Sequence, residues 1–153
     1  MYSYTYDDIA ERYIDTIYRL ALARTKSREH AEDVTQDVFL KLLQCKKKFE
    51  CEEHLKAWLL RVTINHTKDL LMSSWLRKTD ELDESIPAAE NEKSELYEAV
   101  MQLPVKYRTV IHLHYYEGYS VDEISGIMKI KQGTVKAQLH RGREMLKNIL
   151  EAD

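Results

Sequence analysis

Apolar residues recur along this chain at the spacing of amphipathic helices, and this periodicity limits the possible folds more than any other feature. The first such pattern contains Ile9, Tyr13, Ile17 and Leu20, and comparable patterns follow in both halves of the sequence. The 153 residues include only four glycines and two prolines, so few positions favour tight turns. We therefore expect an all-α protein.

The charge of the chain is distributed unevenly, and this predicts where domains end. Residues 1–78 carry 14 basic and 12 acidic side chains, residues 79–100 carry one and eight, and residues 101–153 carry eight and six. The middle segment is also poor in large apolar residues and contains Pro87. We predict two small helical domains, 1–78 and 94–153, joined by an acidic linker at 79–93. A solvated loop inside one domain is the alternative.

Apolar spacing, caps and breakers together locate the helices. Ser27 is predicted to cap the second helix, and Pro104 is expected at the first position of a later one. A break follows at residues 117–119, where Gly118 stands. The third helix is expected to bury Leu55, Trp58, Leu59 and Val62. The predicted helices span about 6–26, 28–44, 54–78, 91–102 and 104–116.

Several classes of protein are excluded by what the sequence lacks. Two cysteines are too few for a disulfide scaffold. No apolar stretch approaches the roughly 18–20 residues of a spanning helix, and the tyrosine-rich start is unlike a secretory signal. We therefore expect a cytoplasmic protein with reduced thiols and no membrane insertion. At first, the net charge of −3 argues against a nucleic-acid partner, because such binders usually carry a basic excess.

No residue cluster predicts catalysis, a cofactor or a metal site. His112 and His114 are two residues apart and do not share a helix face. Cys45 and Cys51 lie in a polar stretch without further ligands, so ordinary thiols are favoured over a zinc or redox role. Serine–histidine pairs, phosphate loops and paired carboxylates are not convincing anywhere. We expect a protein that is not an enzyme and has no small-molecule substrate.

The segment from Ser120 to Arg143 predicts a helix-turn-helix. Ser120 and Glu123 have the spacing of a capping box at the start of a short helix. A turn of three or four residues follows, in which Ile130 can fill the space between the helices and Lys129 stands where glycine is common. A left-handed lysine there would cost about 1 kcal/mol. The inner faces are expected to contain Ile124, Ile127, Met128, Val135, Leu139, Gly142 and Leu146.

The outward face of the second helix is basic, without an acidic residue between Gln132 and Arg143. Lysine and arginine can neutralise phosphates or donate to guanine, histidine can donate to a base or a phosphate, and an alanine methyl can contact that of thymine. This composition suits a recognition helix in the major groove, and a solvated amphipathic helix is the alternative. The candidate DNA-contacting residues are Thr134, Lys136, Ala137, His140, Arg141 and Arg143.

These features resemble bacterial sigma factors of the extracytoplasmic-function group, and the resemblance covers nearly the whole chain. In the first domain, residues 31–41 and 58–61 with Asn65 and Asp69 resemble sigma region 2. The second domain resembles sigma region 4, and the residues that carry this similarity are Leu103, Pro104, Tyr107, Arg108, Leu113, Gly118, Tyr119, Ser120, Glu123, Ile124, Gly133, Thr134, Val135, Lys136, His140 and Arg141.

A second candidate surface lies on the predicted second helix. Asp33, Gln36, Asp37 and Leu40 fall at i, i+3, i+4 and i+7, so they form an acidic, hydrogen-bonding face with an apolar spot. Such a face suits a basic partner, although a solvated helix face is the alternative. The resemblance implies that the partner is core RNA polymerase, through the clamp-helix coiled coil of its β′ subunit.

The third helix and the loop before it correspond, by resemblance, to the segment that reads the unwound −10 element. Arg61, Asn65 and Lys68 share one face of this helix, and Lys48 and Phe49 in the loop offer a cation and a stacking ring. Phe49 can equally be a core residue.

The same segment departs from the family pattern. Ile64, Met72 and Ser73 stand where related proteins often carry arginine. Promoter contacts here are therefore expected to be weak, or shifted to Trp75 and Arg77.

The resemblance implies a sigma factor that directs core polymerase to promoters, contacts the β-subunit flap through region 4, and is held inactive by an anti-sigma factor. A conventional dimeric regulator that binds operator DNA through its helix-turn-helix is the first alternative. An interaction protein that mimics a sigma factor and has lost promoter function is the second. The sequence does not identify the promoter, the regulon, the signal or the anti-sigma factor.

Overall fold

The computed structural model describes residues 1–73 and 95–152, and within these ranges it contains α-helices and one π-helical turn but no strand. The predicted all-α class is therefore confirmed. The chain separates into two compact units, Met1–Glu81 and Leu82–Asp153. The predicted linker at 79–93 lies outside the described residues, as do Trp75 and Arg77.

Three helices that pack against one another form the first unit. They are α1 (Tyr6–Thr25), α2 (Arg28–Gln44) and α3 (Glu52–Leu71). Ser27 caps α2, as predicted, by accepting a hydrogen bond from the His30 amide at 3.2 Å. Burial of apolar side chains from all three helices stabilises the unit. Its most buried residues include Ile9, Ile17, Leu20, Val34, Val38, Leu55 and Leu59.

Helix α3 differs from its prediction in its start, its end and its buried face. It begins at Glu52, two residues earlier than expected, and ends at Leu71, whereas the prediction continued it to about residue 78. Because it packs against both α1 and α2, its buried stripe is broad and reaches Ile64 and Thr67. Trp58 and Val62, which were expected to be buried, are only half-buried at the margin of this stripe. Ile64 is a core residue, which explains an apolar side chain where arginine was expected.

The second unit is built around its last helix. Its elements are α4 (Glu95–Met101), α5 (Val105–Ile111), a π-helical turn (His112–Tyr116), α6 (Val121–Met128) and α7 (Gln132–Glu151), and α7 contacts α4, α5 and α6. A Cβ at Gly142 would stand 3.0 Å from the Ile111 side chain, so glycine allows α7 to approach α5 closely.

Two predictions about the segment that begins with Pro104 were wrong. Pro104 is the N-cap of α5 rather than its first residue, with its carbonyl accepting from the Tyr107 and Arg108 amides. The α-helix also ends at Ile111, because the following turn widens to a π-helix in which the Glu117 amide reaches the His112 carbonyl at 3.1 Å. The break predicted after residue 116 is confirmed, with Gly118 at φ 78°.

The helix-turn-helix is confirmed in α6 and α7. Ser120 and Glu123 make both hydrogen bonds of the predicted capping box. Lys129 adopts the left-handed conformation at φ 57°, and Ser125 holds the turn by donating its hydroxyl to the Ile130 carbonyl at 2.6 Å. Ile124, Ile127, Val135 and Leu139 are buried, while Met128, Ile130 and Leu146 are half-buried.

Candidate nucleic-acid and docking interfaces

The basic face of α7 is open to solvent along its length. Because these residues lie on one helix whose other side packs on α4, α5 and α6, their relative positions are fixed by the helix itself. Val135, Leu139 and Gly142 supply the buried side that holds α7 in place. The structure therefore groups all six predicted residues on an accessible surface, which we call the α7 face; its members are Thr134, Lys136, Ala137, His140, Arg141 and Arg143.

Two further residues contact the α7 face, and the sequence analysis did not include them. The imidazole of His140 lies 3.2 Å from a carboxylate oxygen of Glu144, one turn further along the helix. Arg143 donates to the hydroxyl of Tyr115 at 3.0 Å. The i, i+4 spacing of His140 and Glu144 is readable from sequence. The Tyr115 contact joins residues 28 positions apart, and nothing in the local sequence signals it.

A cleft of about 380 Å³ lies in the first unit, between the loop 45–51 and the first turns of α3. Two lysines of the loop and Arg61 of α3 make its rim basic, and the aromatic ring of Trp58 forms part of its wall. A volume of roughly 300–1,000 Å³ is usual for a small-molecule site. Its lining residues are Lys47, Lys48, Phe49, Glu50, His54, Ala57, Trp58 and Arg61.

Phe49 lines this cleft but is a core residue, only 3% exposed. Its ring meets Trp58 edge-on at 5.8 Å between centroids and lies 6.3 Å from the ring of Tyr4. The structure thus favours the core alternative for Phe49, because a buried ring offers no face to a base. Trp58 is half-buried and is the better stacking candidate, a residue that the sequence analysis had assigned to the core.

The predicted −10 residues are not all brought together. Lys48 and Arg61 line the cleft, whereas Asn65 and Lys68 are exposed further along α3 and do not line it. The surface predicted from one helix face is therefore divided in two, a cleft at the start of α3 and an exposed polar stretch beyond it.

All four predicted docking residues of α2 are exposed: Asp33, Gln36, Asp37 and Leu40. One carboxylate oxygen of Asp37 lies 2.9 Å from the His66 imidazole of α3, a contact between helices that spacing along α2 does not reveal. Leu40 is 49% exposed, so an apolar side chain reaches solvent beside these polar groups.

An apolar groove of about 310 Å³ adjoins this face. It runs between α1 and α2, and Ile14 of α1, at 45% exposure, faces the same groove as Leu40. An acidic face beside an apolar groove can accept a partner helix that presents both cations and apolar side chains. The sequence analysis missed the contribution of α1, which the helical period of α2 alone does not show.

The histidines and cysteines form no cluster for a metal. Across residues 1–73 and 95–152, no three histidine, cysteine or acidic side chains are placed to hold a metal ion. His112 lies 3.1 Å from Glu117, while His114 bonds to the Tyr119 carbonyl at 2.8 Å. Among the helices in the described ranges, none has the length and apolar character to cross a membrane.

Two family models match the chain in the order of its two units. The model of Sigma-70 region 2 matches residues 9–78, and that of Sigma-70 region 4 matches residues 93–146. The chain is 31% identical to the ECF RNA polymerase sigma factor SigW of Bacillus subtilis, over 94% of this chain and 87% of SigW.

The chain belongs to the extracytoplasmic-function (ECF) sigma factors. It is also 27% identical to the ECF sigma factor SigE of Mycolicibacterium smegmatis, spanning 95% of this chain but only 62% of that longer relative. Its fold is similar to that of the sigma factor RpoE from Bartonella quintana, solved in complex with the anti-sigma factor NepR. The TM-score is 0.80 at 22% identity, and the match covers 97% of this chain and 98% of that one.

Proposed function

We propose that this ECF sigma factor directs core RNA polymerase to promoters, its first unit docking on the enzyme and opening the −10 element and its second unit binding the −35 duplex. The observation that carries the proposal is the exposed basic face of α7, with no acidic residue between Gln132 and Arg143, in a capped helix-turn-helix on a chain that also contains sigma region 2. A protein that only bound DNA would need no region-2 unit.

The α7 face has the chemistry of a recognition helix. Lys136 and Arg141 neutralise backbone phosphates or donate to the acceptor atoms of guanine in the major groove. Arg143 is steered by the Tyr115 hydroxyl, and phenolic hydroxyls themselves donate to phosphates. Glu144 draws the His140 imidazole along the helix, which limits the positions from which that ring can reach DNA.

The cleft of the first unit suits a single-stranded base of the −10 element. Trp58 supplies a ring for stacking, which is worth about 1–3 kcal/mol per base, and the surrounding cations favour the phosphate backbone. Asn65 and Lys68 extend this surface along α3, where they can contact nucleotides next to the one in the cleft.

The acidic face of α2 and the groove beside it form the polymerase-docking surface. Asp33 and Asp37 attract a basic partner, and the groove between Ile14 and Leu40 receives its apolar side chains. By family resemblance the partner is the β′ clamp-helix coiled coil, with the β flap meeting the second unit. An anti-sigma factor, of the general class that NepR represents for RpoE, is proposed as the regulator. Sigma factors are transcription initiation factors, and we propose no catalytic role.

Run-off transcription with purified core polymerase tests the function directly. Fragmented DNA of the source genome serves as template, with core enzyme alone and core enzyme plus this protein compared. Discrete transcripts that require the protein support the proposal. The operator-binding regulator predicts instead a dimer that binds duplex DNA without polymerase and yields no new transcript.

Replacing Asp37 tests the docking surface. Asp37→Ala is expected to weaken binding to core polymerase about tenfold, because a charge-assisted contact of about 1.5 kcal/mol is removed. Asp15→Ala is the matched control, since Asp15 is an exposed carboxylate of α1 that points at least 100° away from the groove residues Tyr6, Ala10 and Ile14. Both affinities are measured by fluorescence anisotropy of the labelled protein. Equal losses in the two variants would contradict the assignment.

A further inference from the structure

The first five residues form a non-helical segment that lies against the loop 45–51. Tyr2 and Tyr4 are half-buried, whereas Ser3 and Thr5 are exposed, so alternate side chains turn towards the rest of the first unit. Neither of the two nucleic-acid surfaces described above includes these residues. We call residues 1–5 the tyrosine segment.

Tyr2 bonds this segment to the loop 45–51 and to the start of α3. Its backbone amide donates to the Phe49 carbonyl at 2.8 Å, and its hydroxyl donates to a carboxylate oxygen of Glu52 at 2.9 Å. Phe49 lies in the loop and Glu52 is the first residue of α3.

Glu52 is the centre of this network. Its second carboxylate oxygen accepts from the Tyr13 hydroxyl at 2.9 Å, and Arg12 of α1 pairs with the first oxygen, the one that Tyr2 also contacts. The hydroxyls of Tyr2 and Tyr13 hold the pKa of Glu52 below its ordinary value. Burial and the bond to Glu52 raise the pKa of Tyr13 to about 12. At neutral pH the acceptor is therefore charged and both donors keep their protons.

Aromatic contacts continue from the tyrosine segment to the cleft. The rings of Tyr2 and Tyr4 stack at 5.9 Å with planes 17° apart. Tyr4 then meets Phe49, and Phe49 meets Trp58 edge-on. Aromatic pairs at these separations are favourable and fix ring orientation. A series of ring contacts thus connects Trp58, the proposed stacking ring, to a residue 54 positions earlier.

We propose that the tyrosine segment is a positioning element for −10 recognition: Tyr2 and Tyr4 hold the loop 45–51 and the Phe49–Trp58 ring pair in the geometry that receives the unwound base. This inference rests on the proposed function and extends it to residues that touch no DNA. Without the segment, the loop and Trp58 lose their fixed arrangement, while α2 and α7 keep theirs.

The test measures strand binding by holoenzyme assembled from full-length protein and core polymerase. The probe is the single non-template strand across the −10 element of a promoter recovered by run-off transcription, and a strand with substituted −10 bases is its partner. Tyr4→Ala is expected to weaken binding to the promoter strand about three- to tenfold and to leave the substituted strand unchanged. Tyr4→Phe restores binding, because the ring rather than the hydroxyl contacts Phe49.

Tyr2→Phe removes only the hydroxyl bond to Glu52, so a smaller loss of the same kind is expected. Tyr18→Ala, which removes a half-buried tyrosine of α1, is the control. Core affinity and thermal unfolding are recorded for every variant. Unchanged strand discrimination in Tyr4→Ala, or an equal loss of core binding, would overturn the inference. If the wild-type holoenzyme itself binds no promoter strand, the proposed function fails and the inference falls with it.

Discussion

The two units present their nucleic-acid surfaces in different ways. In the second unit, all six candidate residues project from one helix, whose buried side fixes their positions. In the first unit, the cleft is assembled from the loop 45–51 and α3, and the tyrosine segment supports it from outside. A surface on one helix follows from the helical period, whereas a cleft built from separate segments depends on contacts that spacing does not encode.

The largest expected loss of DNA affinity comes from substitutions on the α7 face. Arg141→Ala should weaken retention of a −35 duplex by holoenzyme by about 2 kcal/mol, roughly thirtyfold, because an arginine contact to base or phosphate is lost. Lys136→Ala should act in the same direction, and the two losses should add, since these side chains act independently. Electrophoretic mobility shift measures both.

Lys147→Ala provides the control for this helix, because Lys147 is an exposed cation on the same side of α7 but one turn beyond Arg143, and a recognition helix contacts base edges through its N-terminal residues. All three variants are expected to bind core polymerase as the wild type does. If the losses from Lys136→Ala and Arg141→Ala were strongly non-additive, the α7 face would behave like the cleft. The expected difference between the two units would then be contradicted.

In the cleft we expect smaller losses of affinity for the −10 strand, and the losses from two substitutions should not be additive. Trp58→Ala should weaken binding of the unwound −10 strand by about 1–2 kcal/mol through loss of stacking. Phe49→Leu should act only by releasing Trp58, so it should have no further effect once Trp58 is alanine. A double-mutant cycle of strand affinity measures this coupling. Additive losses would mean that Phe49 contacts the strand itself.

Lys26 in the first unit and Lys129 in the second both adopt the left-handed conformation at φ 57°. Replacing each of them with glycine compares the two positions by the change in local stability. Lys129 is exposed, so Lys129→Gly should stabilise α6 by about 0.5–1 kcal/mol by relieving the backbone conformation. Lys26 is only 9% exposed, and Lys26→Gly should gain less because packing of its side chain is lost. Amide hydrogen exchange of α6 and α1 in the full chain reports both. Equal gains would show that the Lys26 side chain contributes nothing.

The smallest expected effect is a loss of stability of the first unit at acidic pH. Because the folded-state pKa of Glu52 lies below its ordinary value, this carboxylate stabilises the first unit at neutral pH. That contribution is lost as the pH falls through the lowered pKa and the carboxylate gains a proton. The difference in urea midpoint between wild type and Glu52→Gln should therefore shrink with acid. A difference that stays constant would show that Glu52 acts without its charge.

Most of the fold was predictable, because caps and apolar spacing are local signals. Ser27, Ser120 and Glu123 identified helix starts correctly. The errors concern the end of one helix and the width of one buried face. A π-helical turn replaces the end of a continuous helix beside Gly118, and Trp58 is at the margin of the α3 core because α3 serves two neighbours.

The candidate sites show the same distinction between local spacing, which was predictable, and contacts from other elements, which were not. Spacing alone placed the α7 face and the α2 face on exposed surfaces. It did not reveal Ile14, Tyr115 or His66, each of which reaches a site from another helix or turn. The alternation of tyrosine at positions 2, 4 and 6 was a readable signal for a segment that packs on one side, but it does not say against what.

The central claim is that the two units reach two separate promoter elements, and tethered cleavage tests it most directly. Cys45 and Cys51 are replaced by serine, and a DNA-cleaving iron chelate is attached to Lys147→Cys beside the α7 face or to Glu50→Cys at the cleft. In the promoter-bound holoenzyme, the first should cut the −35 duplex and the second should cut the −10 element. Cleavage of the same element by both, or none from Lys147→Cys, would contradict the account.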